Sequence, residues 1–301
     1  EGYYQSFNPA FTGEVISTLA NAGTYVLSYY TNHTTNALLD ETGITVLRKK
    51  VSDGTDHPNS WKYVEYEIKL DSRKAVNINI GYYIGLDELR LYPVDALMSS
   101  FSYDKDSRLV NGIMDEKSLP SAFEDDKLLR LTGVRKFDNH YVSLTEYLYK
   151  NGVNANNTIK SWTLLRGGQS SASIAKNLGS GDVVKVNSYF DGIGRSLMSA
   201  SVGTSAAGRD QIQLQRYDKF GRQTKQYLPF TLAGNNGAYI NKATVLSHQQ
   251  SFIGTEYGGG NAGFGLIQTE LESSPLNRVF KQRAAGSSFY SHPTETEYGA
   301  T

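Results

Sequence analysis

Two stretches decide how this chain folds: "SYFDGIGRSL" at residues 188–197 and "RYDKFGRQTKQYLPF" at residues 216–230. An aromatic residue stands just before D-x-x-G-R in both. The first carries Tyr189, Asp191, Gly194 and Arg195; the second carries Tyr217, Asp218, Gly221 and Arg222. The segment "QIQLQRY" leads into the second, where Ile212 and Leu214 alternate with Gln211, Gln213 and Gln215. Period two with one apolar face is a half-buried antiparallel strand. An Asp at the start of a turn accepts backbone N–H groups, and Gly tolerates positive φ. The unit therefore reads as a hairpin in which Tyr packs, Asp and Gly turn, and Arg clamps. The Arg lies across the Tyr ring of a neighbouring strand or pairs with the turn Asp. Nothing in the motif requires catalysis.

Two further copies precede these. "SFSYDKDSRLV" holds Tyr103, Asp104, Ser107 and Arg108. "AFEDDKLLRLTGV" is a weaker copy with Phe123, Asp126 and Arg130, in which Leu129 stands where Gly is expected. "TEYLYKNG", with Tyr147 and Tyr149, follows as a degenerate copy. Recurrence at about 20–25 residues marks a repeat architecture.

The first hundred residues have a different texture. Val64, Tyr66, Ile68 and Leu70 alternate with Glu65, Glu67 and Lys69, and Val76, Ile78 and Ile80 alternate with Asn77 and Asn79. "SDGTDHPNS" is polar and turn-forming, and Pro93 suits a strand end. Short strands with turns between them predict a jelly-roll-like β-sandwich over residues 1–97. β-hairpins are expected over residues 98–301. The fold class is all-β: there are 21 Tyr and 29 Gly, and no long stretch shows a 3.6-residue apolar period.

Lys+Arg and Asp+Glu balance at 30 each. Such a chain carries no electrostatic footprint for nucleic acid, and no apolar run is long enough for membrane insertion. With no cysteine there is no disulfide, thiolate zinc site or Cys nucleophile. The ends, "EGYYQSF" and "TEYGAT", read as those of a piece of a longer polypeptide.

On "YDKFGR", "YFDGIGR" and "YDKDSR" the sequence resembles the Rhs/YD-repeat family, whose signature is Y-D-x-x-G-R. "IGLDELRLYPVDALMSSFSYD" is similar to the junction between a carbohydrate-binding-module-like sandwich and the first YD repeats of some Gram-negative members. The run "SYFDGIGRSLMSASVG…GRDQIQLQRYDKFGRQTKQYLPF", followed by "ESSPLNRVFKQRAAG", is similar to the segment leading into the main Rhs barrel. The resemblance spans about residues 84–290. It implies that the hairpins of residues 98–301 start a larger Rhs-type β-shell, a hollow β-barrel, whose wall is exported and non-enzymatic, secreted or at the outer cell surface of a Gram-negative bacterium. Such a wall encloses or displays a C-terminal toxin or other effector. Its partners would be the remainder of the same polypeptide, that cargo, and secretion or surface-anchoring machinery. No D-P dipeptide occurs, so the family's self-cleaving core motif is not carried over.

Two other classes compete. A glycan-binding adhesin would use exposed aromatic platforms, for which Trp61, Tyr82 and Tyr83 are the candidates. An accessory part of a glycan-active enzyme would need two converging carboxylates. Asp87/Glu88 and Asp125/Asp126 are sequence neighbours, which point to opposite faces of a strand. The five histidines lack metal-ligand spacing. No cofactor is expected beyond a candidate structural Ca²⁺ held through Asp87, on what looks like the last strand of the sandwich. "GTEYGGGNAGFGL" lacks the features of a phosphate loop and reads as a mobile surface loop.

Overall fold

The computed structural model describes residues 13–17, 19–32, 39–52, 62–80, 86–116, 119–136, 139–151 and 156–299. The chain divides into two compact units. The first comprises Glu1–Ser102 and Ile113–Pro120; the second comprises Tyr103–Gly112 and Ser121–Thr301.

The first unit holds β1 (Gly13–Ile16), β2 (Gly23–Thr31), β3 (Thr45–Val51), β4 (Lys62–Leu70), β5 (Asn77–Ile80) and β6 (Leu86–Pro93). Four of these form an antiparallel sheet in the order β3-β4-β2-β6, while β1 pairs with β5. Val64, Tyr66, Ile68 and Leu70 point into one core with Leu27 and Tyr29 of β2, as their alternation predicts. Ile78 of β5 and Val76, just before β5, meet them, so the β1-β5 pair shares one core with the four-stranded sheet.

The next strands are β7 (Ser100–Tyr103) and β8 (Val110–Met114). Then come β9 (Pro120–Asp125), β10 (Leu131–Lys136), β11 (His140–Leu148), β12 (Asn157–Leu164), β13 (Val183–Phe190), β14 (Ser196–Val202) and β15 (Asp210–Arg216). The last are β16 (Lys225–Tyr227), β17 (Phe230–Leu232), β18 (Leu266–Leu271), β19 (Val279–Arg283) and β20 (Thr294–Glu295). From β9 to β20 they form one antiparallel ribbon, each strand paired with the next, except that β16 pairs with β18 and β17 joins β15. "QIQLQR" lies in β15: Ile212 and Leu214 are buried while Gln211, Gln213 and Gln215 are not.

One face of the ribbon is covered. The short helix α1 (Ala172–Lys176) sets Ala175 against Tyr141, Leu144, Trp162 and Val183. The helix α2 (Lys242–Tyr257) sets Val245 over Met198, Ala200, Ile212, Leu214 and Phe230. A sixteen-residue helix departs from the expectation of strands and turns alone. Its buried stripe is Val245, Gln249 and Ile253, and the polar middle member masks the period. Gln249 is tolerated there because its Nε2 donates to Gly265 O at 2.7 Å. The start signal is an ordinary one: Asn241 Oδ1 caps the amides of Ala243 and Thr244. "GTEYGGGNAGFGL", read from sequence as a surface loop, begins within this helix. It completes α2, makes a 3-10 turn at Gly259–Asn261, and is tied to Ser287 through Asn261 Oδ1. A last helical turn, α3 (Ser287–Tyr290), follows. Among the described residues no helix is long and apolar enough to cross a membrane.

Candidate functional site

Three of the D-x-x-x-R turns are built alike. In the β13–β14 turn, Asp191 Oδ1 accepts the amides of Ile193 (3.0 Å) and Arg195 (2.9 Å), and Oδ2 accepts Arg195 Nε at 2.7 Å. The Asp191 amide closes the loop on Arg195 O, and Gly194 takes φ 85°. In the β15–β16 turn, Asp218 Oδ1 accepts Phe220 N and Arg222 N, Oδ2 accepts Arg222 Nε at 2.8 Å, and Gly221 takes φ 80°. The β9–β10 turn repeats this with Asp126, Leu128 N, Arg130 N and Arg130 Nε. Leu129 adopts φ 61° there, at the cost that a non-glycine residue bears in the left-handed region. The copy that is weakest in sequence thus has the complete clamp. One acid both shapes the turn and holds the Arg.

The Tyr103 copy departs from this pattern. Asp104 accepts Asp106 N and both the amide and hydroxyl of Ser107, and closes on Leu109. The loop is one residue longer, so Arg108 occupies the positive-φ place at 62° instead of the clamp position. Tyr103 is 59% exposed.

Two turns that sequence reading missed share the geometry. Between β18 and β19, the Glu272 amide closes on Arg278 O and Asn277 takes φ 53°. Glu272 accepts Arg278 N and Nε and Ser274 Oγ. The longer acid spans a loop with two more residues than D-x-x-G-R. Between β14 and β15, Ser205 replaces the acid. Ser205 N meets Arg209 O, Arg209 N meets Ser205 Oγ at 2.8 Å, and Gly208 takes φ 66°. The signal in both is an acceptor, then a residue suited to positive φ, then Arg.

Strand direction places the Asp126, Asp191, Asp218 and Glu272 turns, and the β11–β12 connection, at the same end of the ribbon; the Ser205 turn lies at the other end. Neighbouring turns are linked. Arg130 Cζ lies 4.1 Å from the Tyr147 ring centre and 5.1 Å from that of Tyr149, and Nη1 donates to Tyr149 Oη. Asn157 Nδ2 donates to Asp191 O at 3.2 Å. Arg195 Cζ lies 4.7 Å from the Tyr217 ring. Arg222 Nη1 reaches Asn277 Oδ1 at 2.9 Å and Glu272 O at 3.3 Å. Arg278 stands 4.7 Å from the Tyr298 ring. Tyr189 is not part of this row. It is buried on the helix-covered face against Tyr239, and its hydroxyl donates to Gly237 O.

The carboxylates are held in their charged form. The backbone and side-chain bonds from Arg195 depress Asp191, and the Arg130 guanidinium depresses Asp126. For Asp104 the bonds come from Ser107. At Asp218, burial pushes upward and the bonds from Arg222 outweigh it. Arg278 and Ser274 bring Glu272 down to about 2. An acid so occupied is a poor proton donor or base near neutral pH.

The Asp126, Asp191, Asp218 and Glu272 turns each also present an apolar side chain just before the positive-φ residue. These are Leu128 (63% exposed), Ile193 (78%), Phe220 (68%) and Leu276 (71%).

The other candidates stand apart. Asp87 lies on β6 opposite Tyr30, with its side chain outside the described residues. Trp61, Tyr82 and Tyr83 also lie outside them. Of the adjacent acids, Asp125 ends β9, exposed, and Asp126 is the clamp. Among the described residues no cluster of three or more His, Cys, Asp or Glu could hold a metal ion.

Comparison with known proteins gives a family match, described as a domain of unknown function (DUF6443), over residues 160–301. That span runs from β12 to β20 and contains the Asp191, Asp218 and Glu272 turns. Two crystal structures, of TcdB2-TccC3-TEV and TcdB2-TccC3-Cdc42, are similar at 10% identity and a TM-score of 0.42 each. They cover 66% and 78% of this chain, which spans 13% and 16% of theirs. No curated protein matches the chain.

Proposed function

We propose that the chain is a non-enzymatic wall segment of an exported Rhs/YD-repeat-type protein, which encloses or displays a C-terminal effector. The observation that carries the reading is the linked row of clamped turns: each turn consumes its own acid and Arg, and each Arg or Asn reaches the following hairpin. A repeat whose acid and Arg are spent on shaping its own turn and holding the next is built for rigidity and extension, not turnover. The exposed apolar residue at the same place in four turns supports further packing against protein outside this chain. The partners on this reading are the rest of the polypeptide, its cargo and the secretion or anchoring machinery. The setting is the exterior of a Gram-negative cell.

The test is limited proteolysis of the whole polypeptide that carries this chain. A C-terminal segment should resist protease until the wall is denatured, and Asp191→Ala with Asp218→Ala should make it cleavable under native conditions. A C-terminal segment freely cleaved in the parent, or turnover of polysaccharide or ester by this chain, would overturn the reading.

A further inference from the structure

We propose that the row of clamped turns is a one-way relay: loss of the acid in one turn loosens the turn that follows it in the chain and leaves the preceding turn intact. The inference rests on the architectural reading of the turns given above. The links made by the Arg guanidinium groups and by Asn157 all run in the same sense, whereas the hydroxyls of Tyr147 and Tyr298 donate back to Leu131 O and Val279 O. Arg130 reaches Tyr147 and Tyr149, Asn157 reaches Asp191, Arg195 reaches Tyr217, Arg222 reaches Glu272 and Asn277, and Arg278 reaches Tyr298. The coupling between any two groups is reciprocal. Direction comes from what anchors each partner. Arg195 is fixed by Asp191 Oδ2, whereas the Tyr217 ring follows directly on β15, and its hydroxyl donates to Gln215 of that strand. Removing the charge of Asp191 therefore frees Arg195 and takes the cation away from Tyr217. Removing that of Asp218 frees Arg222, which abandons Asn277, while Tyr217 stays on its strand and Arg195 stays on Asp191.

Hydrogen exchange of the full chain, read by mass spectrometry, tests this with Asp191→Asn and Asp218→Asn. Asn keeps an oxygen for the turn amides and loses the charge. In Asp191→Asn, exchange should quicken at residues 191–195 and 217–222 and stay unchanged at 126–130. The factor should be about threefold to fivefold, the scale that one exposed ion pair gives to local opening. In Asp218→Asn, it should quicken at 218–222 and 272–278 and stay unchanged at 191–195. Arg195→Lys keeps the charge without the forked geometry and should reproduce the Asp191→Asn pattern if that variant folds poorly. Equal quickening at 191–195 and 272–278 in Asp218→Asn would remove the direction, and confinement to the mutated turn would remove the relay. Either outcome leaves the architectural reading standing. If neither variant loosens even its own turn, both fall.

Discussion

Gly194 and Gly221 occupy the same place in two turns, at φ 85° and 80°, and substituting each by Ala separates backbone cost from neighbour cost. A left-handed conformation costs an L-residue roughly 1–2 kcal/mol. Replacing Gly returns about 0.4–1 kcal/mol by narrowing the unfolded ensemble. At Gly194 an added Cβ meets nothing within 4 Å, so Gly194→Ala should cost about 0.5–1 kcal/mol, the difference of those two effects. At Gly221 the added Cβ would stand 3.1 Å from Arg195 Nη1. The guanidinium must yield, and leaving Tyr217 forfeits about 0.5–1 kcal/mol of cation–π attraction. Gly221→Ala should therefore cost about 1–2 kcal/mol. In an Arg195→Ala background its cost should fall to that of Gly194→Ala, which a double-mutant cycle measures. Urea unfolding is followed by Trp162 fluorescence in a Trp61→Phe parent, because Trp162 is buried in the second unit. Equal costs at the two glycines, or an excess at Gly221 that survives Arg195→Ala, would refute the link between the turns.

Three further outcomes are expected. Ser205→Asp should give Arg209 the carboxylate that the other turns have and raise stability by about 0.5 kcal/mol; a lower urea midpoint would mean that the turn is not equivalent. Glu272 is brought to about 2 from 4.5, so its stabilisation is complete above pH 4.5 and is lost as pH falls through about 2. Glu272→Gln should flatten the dependence of the urea midpoint on pH in that window, and an unchanged slope would remove Glu272 as its source. Ile212 is wholly buried beneath α2, so Ile212→Ala should cost about 2–5 kcal/mol in urea unfolding; less than about 1 would mean that the helix does not cover that face.

The strands were legible because burial writes itself into sequence at period two. Val64 to Leu70 and Ile212 to Leu214 alternate, and the structure buries the predicted members. The helix α2 was not legible because its stripe passes through Gln249, which is apolar by position and polar by composition. Only tertiary structure shows the carbonyl of Gly265 that makes this possible. The same limit hid the role of Tyr189. Tyr189 stands two residues before its Asp and Tyr217 stands directly before its own, so the strand pleat sends the two rings to opposite faces. A pattern that tolerates one residue of slack cannot tell a core tyrosine from a platform for the preceding Arg.

The turns teach the converse lesson, because identity mattered less there than geometry. A clamp needs an acid that can bond both the amide and the Nε of the Arg, a residue that can sit at positive φ, and an Arg directly after it. Asp191 with Gly194 satisfies this, and so do Asp126 with Leu129 and Glu272 with Asn277. Reading for Gly alone undervalued Asp126 and overvalued Asp104, where one extra residue moves Arg108 out of the clamp and into the left-handed position. The acid's length tracks the loop it must cross: the additional methylene of Glu272 compensates for two further residues before Arg278. Register relative to the closing pair, from the acid's amide to the Arg carbonyl, is therefore the invariant of the repeat. Sequence shows that register only when the loop length is fixed in advance.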